Sequence, residues 1–230
     1  MPLGTPTHLA QGSLAGSGAC VTNTFSPTVG ATLFAWVGTR RTTSAATQPT
    51  ISDSSGGVLS WQQIIDYDYE NGTTNMRLRG WWAHVPSTLT NITVTGTVST
   101  SNHAGVEVYE RTGASELSFN AIGGQNANGD PSASLSPTPL ADSGVDSIAW
   151  MAGTVNITAT SGHTELNEFT GGTNARLHVG YQNGGSPSAT ISYTTTNAFA
   201  VAVAVEIKNP PSLPPAPPLT SSSMMALLVR

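Results

Sequence analysis

Asp66, Asp68 and Glu70 stand at every second position of IIDYDYE, the spacing that projects three carboxylates from one face of a β-strand. Two carboxyl groups so placed could protonate a glycosidic oxygen and attack the anomeric carbon, provided they flank the bond about 5–5.5 Å apart and one keeps its proton at neutral pH. The residues that follow argue for a different use. If Asn71–Thr74 is a four-residue turn, Glu70 pairs with Asn75 and the register runs outward from there. Tyr69 then faces Met76, Tyr67 faces Leu78 and Ile65 faces Gly80 on one side of the hairpin. On the other, Asp68 faces Arg77, Asp66 faces Arg79 and Ile64 faces Trp81. One register thus sorts an apolar face from a ladder of opposite charges, and an arginine opposite each aspartate depresses the proton affinity a general acid needs.

Other chemistry is sparser. The acids with Asn71 and Gly72 resemble the start of a calcium loop, but the glycine comes one position late and Arg77 stands where the terminal glutamate belongs. His8, His84, His103, His163 and His178 form no His-x-x-x-His pair, so a metal site requires a convergence in the fold that spacing does not show. Glu165 and Glu168, in TELNEF, read as solvated loop residues. Neither a Gly-x-Ser-x-Gly elbow nor a glycine-rich phosphate loop is found, and Lys208 is the only lysine. No catalytic set, cofactor or metal is expected. Trp81 and Trp82 point to opposite faces of their strand; Trp82 joins Met76 and Leu78 inward, while Trp81 beside Arg77 and Arg79 is the candidate contact for a glycan or a partner, unless a loop covers it.

These residues need a scaffold, and the composition specifies its class. In 230 residues with 24 glycines and abundant Thr and Val, short period-two apolar runs alternate with Gly, Ser, Asn and Pro clusters. No amphipathic helix stands out. Strands are expected at Thr32–Val37, Trp61–Glu70, Met76–Val85, Asn91–Ser99, Ala104–Glu110, Ser147–Ile157, Ala175–Tyr181, Ala189–Thr194 and Ala198–Ile207. They suit an all-β, two-sheet antiparallel β-sandwich of jelly-roll type over residues 1–208, with 1–30 as an N-terminal arm and first strand. No repeat of fixed period stands out, and Gly123–Gly144 reads as a long loop because it lacks large apolar residues. In AFAVAVAVEIK, valines occupy one face and alanines the other, so this strand belongs in the middle of a sheet.

Only 9% of residues are charged, with a net charge of −5, so no basic stripe exists for nucleic acid. No run reaches the ~18 apolar residues of a membrane span, and no secretory leader is evident. One cysteine, Cys20, excludes an internal disulfide.

Residues 209–230 differ in kind. Six prolines between Asn209 and Leu219, among them Pro214, Pro215, Pro217 and Pro218, favour an extended polyproline spacer. An apolar end follows, with Met224, Met225, Leu227, Leu228 and Val229, which reads as an anchor for a neighbouring subunit.

Two resemblances follow from these segments. The acidic alternation resembles the strand-borne triplet of laminarinase-type glycoside hydrolases, although the first acid is Asp66 where that family has Glu. More of the chain, from Ala31 to Lys208, resembles a class of β-sandwich domains of bacteriophage virion proteins and some bacterial surface proteins. The segments concerned are GATLFAWVGTR, PTISDSSGGVLSWQQI, MRLRGWWAHVPSTLTNITVTGTVS, AGVEVYERTG and AFAVAVAVEIK. That resemblance implies a non-enzymatic structural or adhesive role on the exterior of a virion, as a minor tail protein or a capsid decoration protein. Its partners would be other virion proteins in a symmetric assembly, with a host-surface glycan as a further ligand.

Overall fold

The computed structural model describes residues 3–42, 48–70, 74–114, 120–126, 131–153, 156–159, 162–184, 187–194 and 199–209. They form sixteen strands: β1 (Thr7–Ala15), β2 (Gly18–Val21), β3 (Thr32–Arg41), β4 (Thr50–Asp53), β5 (Gln62–Glu70), β6 (Asn75–His84), β7 (Val94–Val98), β8 (His103–Arg111), β9 (Asn120–Asn126), β10 (Ser132–Ser134), β11 (Gly144–Ala152), β12 (Thr158–Ala159), β13 (Thr164–Thr170), β14 (Ala175–Asn183), β15 (Thr190–Thr194) and β16 (Ala200–Ile207).

The expected antiparallel jelly-roll-like sandwich is present, and the chain forms it twice. The first unit pairs a sheet ordered β1-β8-β3-β6-β5 with one ordered β2-β7-β4. The second pairs β9-β16-β11-β14-β13 with β10-β15-β12. Adding eight to each strand number of the first unit reproduces the second. Even an irregularity recurs: the register slips between Gln63 and Ile65 in β5, and between Glu165 and Asn167 in β13. The reading of 1–208 as one sandwich without a repeat is therefore corrected to two tandem units.

The two five-stranded sheets pack on each other, and each small sheet covers the outer face of its own large one. Three apolar layers result. Leu33, Ala35, Val37, Trp81, Val94 and Val106 fill the first sandwich. Phe34, Trp36, Met76, Leu78, Tyr109, Ile148, Trp150 and Val203 fill the layer between the units. Ala149, Met151, Tyr193 and Ala202, continued by Ala133, Val145 and Ile191, fill the second sandwich. Buried Cys20 has its thiol pushed up to about 12 by burial, which leaves it inert at neutral pH.

The layer between the units explains several residue choices. β16 lies between β11 and β9, and its valines face the first unit while its alanines lie under the small sheet, as its two-sided apolar pattern requires. Gly38 and Gly105 are paired across β3 and β8, forming a notch into which the Trp150 ring of the second unit fits. The indole Nε1–H then donates to the Thr39 carbonyl at 2.9 Å. Gly123 makes room in the opposite direction: a Cβ there would lie 2.0 Å from the Tyr67 ring of the first unit.

That contact corrects the expectation of a loop over Gly123–Gly144. The segment includes most of β9, paired with β16, and the whole of β10. β9 needs no large side chain at Gly123 because Tyr67 supplies the packing. TELNEF is likewise no loop, since Glu165 and Glu168 lie in edge strand β13. The N-terminal arm contains two strands, β1 and β2.

Candidate functional site

The β5–β6 hairpin forms in the expected register from Glu70↔Asn75 to Ile65↔Gly80, with Asp66 opposite Arg79 and Asp68 opposite Arg77. Beyond Ile65 the bulge intervenes, so Gln63 rather than Ile64 faces Trp81. Tyr67 and Tyr69 are partly buried against the inter-unit layer, where Tyr69 stacks on Phe199 with ring centroids 5.9 Å apart.

The charges connect diagonally. Arg77 forks onto Asp66, with Nε 2.6 Å from Oδ1 and Nη2 3.0 Å from Oδ2, and Gln48 also donates to Oδ2. Arg79 lies 3.8 Å from the same carboxylate, donates to Gln63 Oε1 at 3.1 Å and reaches the Pro49 carbonyl at 2.7 Å. Burial pushes the Asp66 carboxyl up, but the bonds from Arg77 and Gln48 and the charges of Arg77 and Arg79 outweigh it and hold it below the usual range. A carboxyl held as an anion cannot serve as the proton donor of glycoside cleavage.

Trp81 shares its face with Arg77 and Arg79, and the Arg79 guanidinium carbon sits 5.1 Å from the ring centroid. Arg77 and Arg79 stay partly exposed, but the indole itself is covered. Trp81 is 5% exposed inside the first sandwich, which corrects its assignment as a glycan or partner contact. Trp82 is the tryptophan that reaches an open groove, about 280 Å³ in volume, lined also by Val58, Ser60, Gln62, His84 and Pro86. Alternation along β6 placed Trp82 inward with Met76 and Leu78, and it does pack against the inter-unit layer, but alternation alone did not reveal that the ring also borders a groove.

The turn motif SDSSG is structural. Asp53 Oδ1 accepts the Ser55 amide at 2.7 Å, and Oδ2 accepts the Trp61 indole N–H at 2.8 Å. Pro214, Pro215, Pro217, Pro218, Met224, Met225, Leu227, Leu228 and Val229 lie outside the described residues.

A second set of buried polar groups links the units. Arg111 and Asp146 have fully buried side chains that form an ion pair, and Asp146 Oδ2 also accepts the Tyr109 hydroxyl at 2.8 Å. Arg111 further donates to Asn183 Oδ1 at 2.6 Å and to the Gly4 carbonyl at 2.9 Å. Buried Glu107 accepts His8 Nδ1 at 2.6 Å and Asn167 Nδ2 at 2.9 Å. Their partners are distant in the chain, so sequence spacing could not assemble them. Among the described residues, one group of metal-ligating types converges: Glu165, Glu168 and His178, with ligand atoms within 4.8 Å of one another.

Comparison with family models, with curated proteins and with solved structures returned no match to this chain.

Proposed function

We propose that the protein is a non-enzymatic structural component of a bacteriophage virion, displayed on the exterior as a minor tail protein and attached to neighbouring subunits partly through residues 209–230. The observation supporting a structural role is the double sandwich itself, whose units are joined by a buried apolar layer and by the Arg111–Asp146 pair. Such a joint resists relative motion of the units, as a load-transmitting part requires. Jelly-roll units serve widely as shell and lectin modules, a likeness of architecture rather than of site. Asp66, bound by Arg77 and Gln48, is committed to structure rather than to acid–base catalysis. The assignment to a phage rests on the order of sequence segments. A capsid decoration protein fits the same support.

The test is composition of purified particles, with the protein located by labelled antibody in particle images. The full chain should co-purify in fixed stoichiometry, and a chain lacking residues 210–230 should be incorporated far less. Absence of the full chain from particles would refute the virion reading. Normal incorporation of the truncated chain would transfer attachment to the sandwiches.

The groove beside Trp82 favours a second reading, a glycan-binding module. Trp82, Gln62 and His84 line the groove together, and an aromatic ring among a few polar side chains is the kind of lining that sugar-binding grooves use. Trp82→Ala should then abolish binding to host-surface glycans, and equal binding by the variant would dismiss it.

A further inference from the structure

The tandem equivalence places Gln63, Asp66, Arg77 and Arg79 of the first unit on Glu165, Glu168, Arg176 and His178 of the second, because β5–β6 and β13–β14 share both register and bulge. Half of this constellation is kept in kind: Arg77 pairs with Asp66, and Arg176 with Glu168. The other half changes its charge. In the first unit the Arg79 guanidinium lies between Gln63 and Asp66, so two arginines meet one carboxylate. In the second, Glu165 replaces Gln63 and an imidazole replaces the guanidinium, so one arginine meets two carboxylates. A guanidinium has given way to an imidazole, and a carboxylate has been added, at the same place in the fold.

His178 marks where a cation would sit. Its side chain is 1% exposed, and neither ring nitrogen has a hydrogen-bond partner. Nδ1 lies 3.5 Å from Glu168 Oε2 and 3.8 Å from Glu165 Oε2. Those separations exceed a hydrogen bond of ordinary strength. They are close to the spacing of ligand atoms around a shared ion, roughly 3.3–3.6 Å in a tetrahedral site with bonds of about 2.0–2.2 Å. Arg176 on Glu168 Oε1 and the Ile157 amide, 2.8 Å from Oε2, orient that carboxylate as outer-shell partners do. Glu165, with its side chain 59% exposed, leaves the site open to solvent.

We propose that Glu165, Glu168 and His178 form a binding site for a divalent transition-metal ion of the zinc class, occupying in the second sandwich the place that the Arg79 guanidinium fills in the first. An imidazole with two carboxylates favours such ions over magnesium and calcium. Bound there, the ion ties edge strand β13 to β14, and water completes its coordination. The site stands independently of the virion assignment.

The test is thermal unfolding and calorimetric titration of the full chain, stripped with EDTA and then supplied with Zn²⁺, Co²⁺ or Ca²⁺. The expected result is one Zn²⁺ per chain, with the melting temperature raised by roughly 5–10 °C at a hundredfold excess over Kd. Co²⁺ should acquire visible absorption bands, and Ca²⁺ should do neither. His178→Gln disturbs a buried position and could unfold the chain, so the deciding variant is exposed Glu165→Gln. It should melt with wild-type stability in EDTA and lose the response to zinc. Absence of zinc binding, an equal effect of calcium, or an undiminished response in Glu165→Gln would each overturn the proposal.

Discussion

Replacing Gly38 by alanine tests the joint between the units at its tightest point. A Cβ there would lie 2.4, 2.5 and 2.8 Å from Cδ2, Cε3 and Cγ of Trp150, whereas carbon atoms in good contact lie about 3.5–4.0 Å apart. The ring would have to retreat by about 1 Å, and it has nowhere to go. A Cβ on Gly171 would lie 2.3 Å from its Cη2, so that backbone blocks one side, and the indole N–H is committed to Thr39. Overpacking costs about 1–3 kcal/mol, and stranding the buried N–H costs about 1–3 kcal/mol more. Relief of glycine's extra chain entropy returns about 0.5–1 kcal/mol. The net expectation is a loss of about 3 kcal/mol, which in a chain of this size lowers the melting temperature by roughly 6–12 °C. Gly105→Ala is the internal control: its Cβ would lie 3.1 Å from Trp150 Cζ3 and 3.2 Å from Phe169 Cζ, distances that a small adjustment accommodates. Thermal unfolding followed by near-ultraviolet dichroism, which reports the tryptophan environment, compares the two. A Gly38→Ala melting temperature within about 2 °C of wild type, or a larger drop for Gly105→Ala, would show that Trp150 does not lock the units as described.

Arg111→Met should cost about 3–5 kcal/mol in chemical denaturation, because it leaves Asp146 charged and buried, and adding Asp146→Asn should recover part of the loss. The His8–Glu107 pair predicts declining stability with alkalinity. The hydrogen bond to Glu107 raises His8 above its ordinary 6.5 despite burial, so that contribution is complete below this value and lost as pH climbs through the raised one. Burial raises Glu107 too, despite its bonds to His8 and Asn167, and acts in the same direction. His8→Gln should flatten the fall in stability expected of the wild type above pH 6.5. Asp66, held below the usual carboxylate range, contributes stability that is present above its unfolded-state value and lost as pH falls through the folded one; Asp66→Asn should cost about 1 kcal/mol at neutral pH and less in acid.

The elements legible in the sequence are those whose information is local. The β5–β6 hairpin could be registered because both faces sort at once, and β16 could be placed mid-sheet because both its faces are apolar. Where packing is supplied from elsewhere, the sequence reading fails. β9 looks like loop because Tyr67 of the other unit provides its bulk at Gly123, and β13 looks solvated because the partners of its Asn167, Gln11 and Glu107, are distant in the chain. The same blindness hides the three-ligand group, whose His178 is brought beside Glu165 and Glu168 by pairing of β13 with β14.

The repeat was hidden for a further reason, and its most literal trace misleads. LFAWVGT and SIAWMAG invite Trp36 to be matched with Trp150. Pairing with the neighbouring strands gives a different answer: Gly38 faces Leu78 as Trp150 faces Leu177, and Trp36 faces Gly80 as Ile148 faces Val179. The structural counterpart of Trp150 is therefore Gly38, the residue against which its ring packs. Two identical large sheets pressed face to face would collide wherever each presented a tryptophan at the same position. Here the first unit offers a glycine notch where the second offers an indole, and Trp36 of the first packs over its own Gly80 instead. Complementarity across the joint requires equivalent positions to diverge, so the residues that fasten the units together carry the least trace of their common plan. What persists is what packing does not tax: the strand order, the bulge in the fifth strand of each unit, and the arginine beside it that grips a carboxylate.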